Sequence, residues 1–105
     1  MLKTLRKFAT LRAKEWGTTV TDASFRGNEL AGEAGEVCNE IKKLERHRLG
    51  LVGGKTDLTG LQEELGDLVI CAELIAQHYD IDLEEAIKDK FNKTSKKYGL
   101  KTVIK

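Results

Sequence analysis

Two copies of one carboxylate motif carry most of the chemistry available to this 105-residue chain: Leu30-Ala31-Gly32-Glu33-Ala34-Gly35-Glu36-Val37 and Leu61-Gln62-Glu63-Glu64-Leu65-Gly66-Asp67-Leu68. Both read Leu-x-x-Glu-x-Gly-acid-apolar. Residues three apart on a helix share a face, so each copy aims two acids the same way. At about 100° per residue, Glu33 and Glu64 each lie roughly 60° from the leucine that opens their motif, and Glu36 and Asp67 roughly 120°. The acids therefore border the apolar stripes, whereas a solvated face would lie opposite them. Four such carboxylates repel one another, and burying them unpaired would force some to protonate. A divalent cation removes that conflict. With oxygen ligands only, and neither His47 nor His78 in motif spacing, magnesium or manganese fits better than zinc. Magnesium keeps waters and shares substrate phosphates, so the expected chemistry is phosphoanhydride hydrolysis. The alternative is an acidic helix edge neutralised by lysines. Gly35 and Gly66 sit inside the motifs at a cost of about 1 kcal/mol each relative to alanine. Close approach of a backbone or a ligand would explain them.

Four helices must position these groups, since proline is absent and Val, Ile and Thr are scattered instead of alternating. The first is predicted over residues 2–16, with Leu2, Leu5, Ala9 and Ala13 at helical spacing, and residues 17–24 read as a loop. The second runs from about 25 to 47 after a cap at Asp22 or Ser24, carrying Leu30, Val37, Ile41 and Leu44 on one stripe and a basic tail. The third starts after Thr59, whose spacing to Gln62 fits a capping box, and continues to about residue 79. Asp82 and Glu85 repeat the box ahead of a fourth helix over about 83–98, with Ile87 and Phe91 facing inward and Gly99 in the capping position. The fold class expected is an all-α four-helix bundle, one domain over 1–105, completed by oligomerisation because so short a chain has little apolar surface to spare.

Lys90 falls on the inward stripe of the fourth helix with Leu83, Ile87, Thr94 and Tyr98, flanked by Lys93 and Lys97. An inward lysine wants a carboxylate or a substrate phosphate, unless it snorkels out along its stem. Trp16 ends the first helix, where it could stack on a nucleobase or pack in the core. Gly53-Gly54-Lys55-Thr56 looks like the end of a phosphate-binding P-loop, but the earlier glycine is missing: that position holds Leu49, and no strand precedes it. A flexible connection, mobile over a site, is the preferred reading.

Composition sets limits. Charged residues make up 33% of the chain with a net charge of +1, so no global field argues for nucleic acid or membrane, and any polyanion site must be local. Cys38 and Cys71 lack CxxC spacing, which favours reduced thiols in a cytoplasmic protein. No apolar run reaches the roughly 20 residues that span a bilayer, the best being interrupted by Glu73. The basic, amphipathic start faintly resembles a transit peptide, but its pattern continues to Trp16 with no cleavage signal, as a first helix would.

On Glu33-Ala34-Gly35-Glu36 and Glu64-Leu65-Gly66-Asp67, an ExxE followed after an insert by ExxD, the chain resembles the MazG-like branch of the all-alpha nucleoside triphosphate pyrophosphohydrolases. The resemblance extends to Phe25-Arg26-Gly27-Asn28-Glu29-Leu30 and to Lys90-Phe91-Asn92-Lys93-Thr94-Ser95. It implies a dimeric or tetrameric helical bundle that splits a nucleoside triphosphate into monophosphate and pyrophosphate with magnesium, in nucleotide-pool control or house-cleaning. By resemblance, Glu33, Glu36, Glu64 and Asp67 are the metal-binding and catalytic positions. Lys90 matches a basic position on the phosphates and Trp16 the aromatic residue near the base, and with Asn28, Thr94 and the flanking Lys93 and Lys97 they form the candidate substrate-binding set. Thr94 departs from the asparagine of the deoxycytidine triphosphate enzymes, which leaves base and sugar preference open. Glu36 or Glu33 would serve as general base, with Glu40 one turn further on as a reserve for that role or as an outer metal ligand. A non-catalytic helical binding module and a phosphoribosyl-ATP pyrophosphohydrolase are the competing readings.

Overall fold

The computed structural model describes residues 1–17 and 22–105, and the described residues form four α-helices and no strand. These are α1 (Leu2–Trp16), α2 (Ala23–Arg48), α3 (Thr59–His78) and α4 (Leu83–Lys97). The all-α expectation holds element by element. Of the loop expected at 17–24, residues 18–21 lie outside the described residues, and Ala23 and Ser24 already belong to α2.

Local chemistry sets the boundaries. Asp22 caps α2 by accepting from the Phe25 N–H at 2.8 Å, so Asp22 and not Ser24 is the cap. Asp82 caps α4 in the same way through the Glu85 N–H at 3.1 Å. At α3 the Thr59 capping box does not form. Asp57 instead accepts from both the backbone N–H and the hydroxyl of Thr59, and these two hydrogen bonds hold its carboxyl below the usual range. Three helices close with the paired backbone bonds that a left-handed residue permits. Gly99 (φ 66°) ends α4, and Gly50 (φ 71°) ends α2. At the end of α3 the left-handed residue is Asp80 (φ 54°), which lets the Ile81 N–H reach the Ala76 carbonyl at 2.8 Å.

The central unit is an antiparallel pair, α2 against α3, with α1 on α3 and α4 resting chiefly on α1. The fully buried apolar residues are few and small: Ala9, Val37, Cys71 and Ala76. Between α1 and α3 the contact is polar. Arg6 Nε donates to Glu73 Oε1 at 2.5 Å, Arg6 Nη2 donates to the Ile81 carbonyl, and Gln77 Nε2 donates to Thr10 Oγ1 at 2.7 Å. Glu73, the residue that interrupts the apolar run of α3, is 1% exposed. Arg6 thereby ties α1 to α3 and to the turn that launches α4.

The connection between α2 and α3 is not the flexible segment expected from its glycines. The Leu51 N–H donates to the Arg46 carbonyl at 2.8 Å and the Lys55 N–H to the Lys43 carbonyl at 3.2 Å, laying the loop back along the end of α2. Gly54 is required there, because a Cβ would stand 2.3 Å from the His47 nitrogen.

A second correction concerns α4. Ser95 is buried, and Leu83, Lys88 and Asn92 are half-buried, while Ile87 and Phe91 are 50% and 44% exposed and Lys90 is exposed. From Ile87 to Tyr98 the stripe that periodicity marks as inward is exposed on the protomer, and the covered side of α4 carries Leu83, Lys88, Asn92 and Ser95. Total accessible surface is 7899 Å², about 2,000 Å² more than the roughly 5,900 Å² a compact monomer of this mass exposes. The radius of gyration of 17.1 Å likewise exceeds the roughly 13 Å of a compact domain.

Replacing Arg6 with alanine strands the Glu73 carboxylate in the α1–α3 contact, and a loss of about 3 kcal/mol is expected, measured by urea denaturation at fixed protein concentration. Replacing Arg6 and Glu73 together with leucine is expected to recover most of it.

Candidate functional site

The α2–α3 pair is antiparallel in a register that brings the two acidic motifs face to face. Oxygens of Glu33, Glu64 and Asp67 all lie within 4.8 Å of one another, with Glu33 and Glu64 half-buried and Asp67 exposed. Glu33 Oε2 is buried with no hydrogen-bond partner. Burial pushes the Glu64 carboxyl above the usual range, reinforced by a hydrogen bond with Glu33 and by the charges of Glu33, Glu36 and Asp67. Buried, mutually repelling oxygens with an orphaned lone pair are what a hard divalent cation would satisfy, so this donor set fits magnesium or manganese.

Of the sequence-predicted quartet, Glu36 stands apart. It is exposed and outside the trio, close enough to act on Glu64 by its charge. A Cβ at Gly35 or Gly66 would meet nothing within 4 Å among the described residues, so none of these explains the two glycines, which border open space beside the acids. Glu40 is corrected as a reserve base. Lys55 pairs with it directly, Lys43 lies 3.7 Å away, and the hydrogen bond from Lys55, more than any other cause, holds its carboxyl below the usual range. A carboxylate tied to two ammonium groups is a poor proton acceptor.

The substrate set is divided. Trp16 is 70% exposed, with the Arg12 guanidinium 4.9 Å from its ring centre, so it is not a core residue. It shares a shallow hollow with Phe25, Arg26 and Glu29 at the aromatic end of the α2–α3 seam. Asn28 is exposed on α2. Lys90, Lys93, Thr94 and Lys97 are exposed on α4, whose main neighbour is α1, and the fold does not gather them around the acids of the same chain.

Three side chains at the seam carried no assigned role in the sequence. Arg26, 11% exposed, bonds Glu29 at 2.9 Å one to two turns before Glu33, and both charges act on Cys71, whose thiol burial pushes up. The i,i+3 spacing of Arg26 and Glu29 just ahead of the first motif was the available signal. Lys55 is the third. Its only sequence signal was the failed P-loop, because its contact with Glu40 crosses 15 residues of chain.

An all-α, four-helix chain with two facing acidic motifs on its central pair defines the class, and comparison supplies the family. The profile of the MazG nucleotide pyrophosphohydrolase domain matches residues 26–99, and the chain belongs to that family. The chain is also similar to the "Gene 37 protein" of Mycobacterium phage L5, 34% identical over 64 residues, covering 61% of this chain and 55% of that protein. The match thus spans about half the length of that relative. No solved structure matches the chain. No helix among the described residues is long and apolar enough to cross a membrane.

Glu64 gives a proton-linked prediction. Its raised pKa means the metal-free fold holds the proton more tightly than the unfolded chain, so this contribution to stability is present at acid pH and lost as pH rises through the raised value. A cation must displace that proton. Calorimetric titration of Mn²⁺ across the acidic range, in buffers of different ionisation enthalpy, is expected to show proton release in the native chain that is reduced in Glu64→Gln.

Proposed function

We propose that this chain is a magnesium-dependent nucleoside triphosphate pyrophosphohydrolase that converts a (d)NTP to the monophosphate and pyrophosphate, with manganese as an alternative ion. The observation that carries this is the crowded trio Glu33, Glu64 and Asp67 with its orphaned Glu33 oxygen, in a chain of the MazG family. These three residues would hold the cation, which when bound neutralises phosphate charge and acidifies a water. Glu36, exposed at the rim and not engaged in the trio, is the side chain free to take the proton from that water. Trp16 and Phe25 offer apolar faces for the base at one end of the seam, with Arg26 beside them. Two free thiols, Cys38 and Cys71, suit a reducing compartment such as the cytoplasm.

The phosphate-binding lysines of α4 would come from a second copy. Residues 90–105 hold six lysines and no acid, all 17 acidic residues precede them, and Asn92 clamps the tail against α4 through both polar atoms of Ile104, at 2.7 and 2.9 Å. This basic, apolar-striped end is complementary to the acidic α2–α3 face, and the surplus surface of about 2,000 Å² per protomer is the size that obligate dimers bury. In such an assembly Lys90, Lys93, Lys97 and Thr94 would approach the partner's triphosphate.

A panel of standard and damaged (d)NTPs assayed with magnesium is expected to release monophosphate and pyrophosphate from at least one member. No hydrolysis across the panel would favour a non-catalytic binding module. Glu36→Gln is expected to lower kcat by about 10²–10⁴-fold with an unchanged circular dichroism spectrum, and intact turnover would remove Glu36 from the reaction. Light scattering after size exclusion is expected to give at least twice the 11.7 kDa protomer mass, and a monomer at micromolar concentration would refute the shared site.

A further inference from the structure

We infer that Lys55 is a substrate-binding residue that takes the pyrophosphate end of the triphosphate, and that the nucleotide therefore lies along the α2–α3 seam with its base toward Trp16 and Phe25. The inference rests on the pyrophosphohydrolase reading and adds a direction and a contact to it.

The antiparallel register fixes the order of charges along the seam. At its aromatic end stand Arg26 and Glu29, whose charges act on Cys71 across the pair. The cation trio occupies the middle. At the far end α2 presents Glu40, one turn (about 6 Å) beyond Glu36, and α3 presents Gly60, one turn before Glu64. These two positions meet, since a Cβ on Gly60 would stand 2.6 Å from Glu40 Oε2 and 2.9 Å from Lys55 Nζ. The folded-back loop delivers Lys55 to this point, with Lys43 3.7 Å from the other Glu40 oxygen, so two cations of the protomer stand at the phosphate end and Lys55 is the one that lies over Gly60.

Three features suit Lys55 to an anion. Its ammonium carries three donors, and Glu40 engages one carboxylate oxygen's worth of them. Its side chain remains 32% exposed, so the remaining donors have access to the cleft. It also sits over the first turn of α3, where the helix dipole favours negative charge and where Asp57 already takes the Thr59 N–H. Glu40 in turn holds the lysine in place, a positioning role that fits its two basic partners better than proton transfer does. Gly60 is the space that lets both side chains lie across the helix start.

The test separates the two ends of the substrate by product inhibition. In Lys55→Ala, inhibition by magnesium pyrophosphate is expected to weaken at least tenfold while inhibition by the nucleoside monophosphate changes less than twofold. KM should rise more than kcat falls, and Lys55→Arg should recover part of the loss. Gly60→Ala provides a variant that keeps every charge and favours the helix. It is expected to melt no lower than the native chain yet lose pyrophosphate affinity, because the added methyl displaces Lys55 and Glu40 together. Equal weakening toward both products in Lys55→Ala, or weakening toward neither, overturns the assignment, as does full pyrophosphate affinity in Gly60→Ala. Direct calorimetric titration of magnesium pyrophosphate distinguishes failure of the underlying activity. Lys55-dependent binding without turnover of any nucleotide would uphold the lysine and sink the pyrophosphohydrolase reading, and no binding by the native chain would sink both.

Discussion

The antiparallel register of α2 against α3 is the constraint on which everything else depends. Sliding one helix past the other by a single turn would part Glu33 from Glu64 and Asp67, and would also separate Glu40 from Gly60. The register is held at both ends by contacts that cannot shift independently. At one end the loop is bonded to Arg46 and Lys43 and passes His47 at a distance only glycine allows. Toward the other end Cys71 and Ala76 are buried. Between these fixed ends the acids are pressed together against their mutual repulsion. That repulsion is a local cost within a stable frame, the usual condition for a preorganised cation site.

Frame and surface tell different stories. The protomer has very few fully buried apolar residues and leaves Phe25, Ile41, Leu65, Val69, Ile87 and Phe91 between 44% and 50% exposed. The exposed apolar positions fall on α2, α3 and α4, and the described residues leave each of them about half uncovered. Gly35 and Gly66 belong to the same uncovered surface, where a small side chain leaves room for close approach.

Much of this was legible in the sequence. Helix existence followed from periodicity, and the capping aspartate before α4 announced its own boundary. The facing of the two motifs was legible too, because a 31-residue shift superimposes acid on acid and apolar on apolar, which only a paired arrangement makes use of. The outward placement of Lys90 was not. Periodicity identifies an apolar stripe but not whether the helix that buries it belongs to the same chain, and here the half-buried side of α4 is set by Ser95 and Asn92 instead of by Ile87 and Phe91. The contact of Lys55 with Glu40 was equally hidden, since a loop lysine among glycines carries no periodicity. Glu73 looked like an interruption of an apolar run, and only its juxtaposition with Arg6, 67 residues away, turns it into a structural partner.

Arg6 has one further consequence. A single guanidinium bonds α3 through Glu73 and the root of α4 through the Ile81 carbonyl, so the angle at which α4 leaves the body is set by a group remote from the acids. If α4 serves a neighbouring copy, the placement of its lysines is governed from inside the protomer that lends them. Each site would then be tuned by a hinge residue of the other molecule. Natural variation at Arg6 or Glu73 would be felt as altered cooperation between copies before it was felt as altered chemistry.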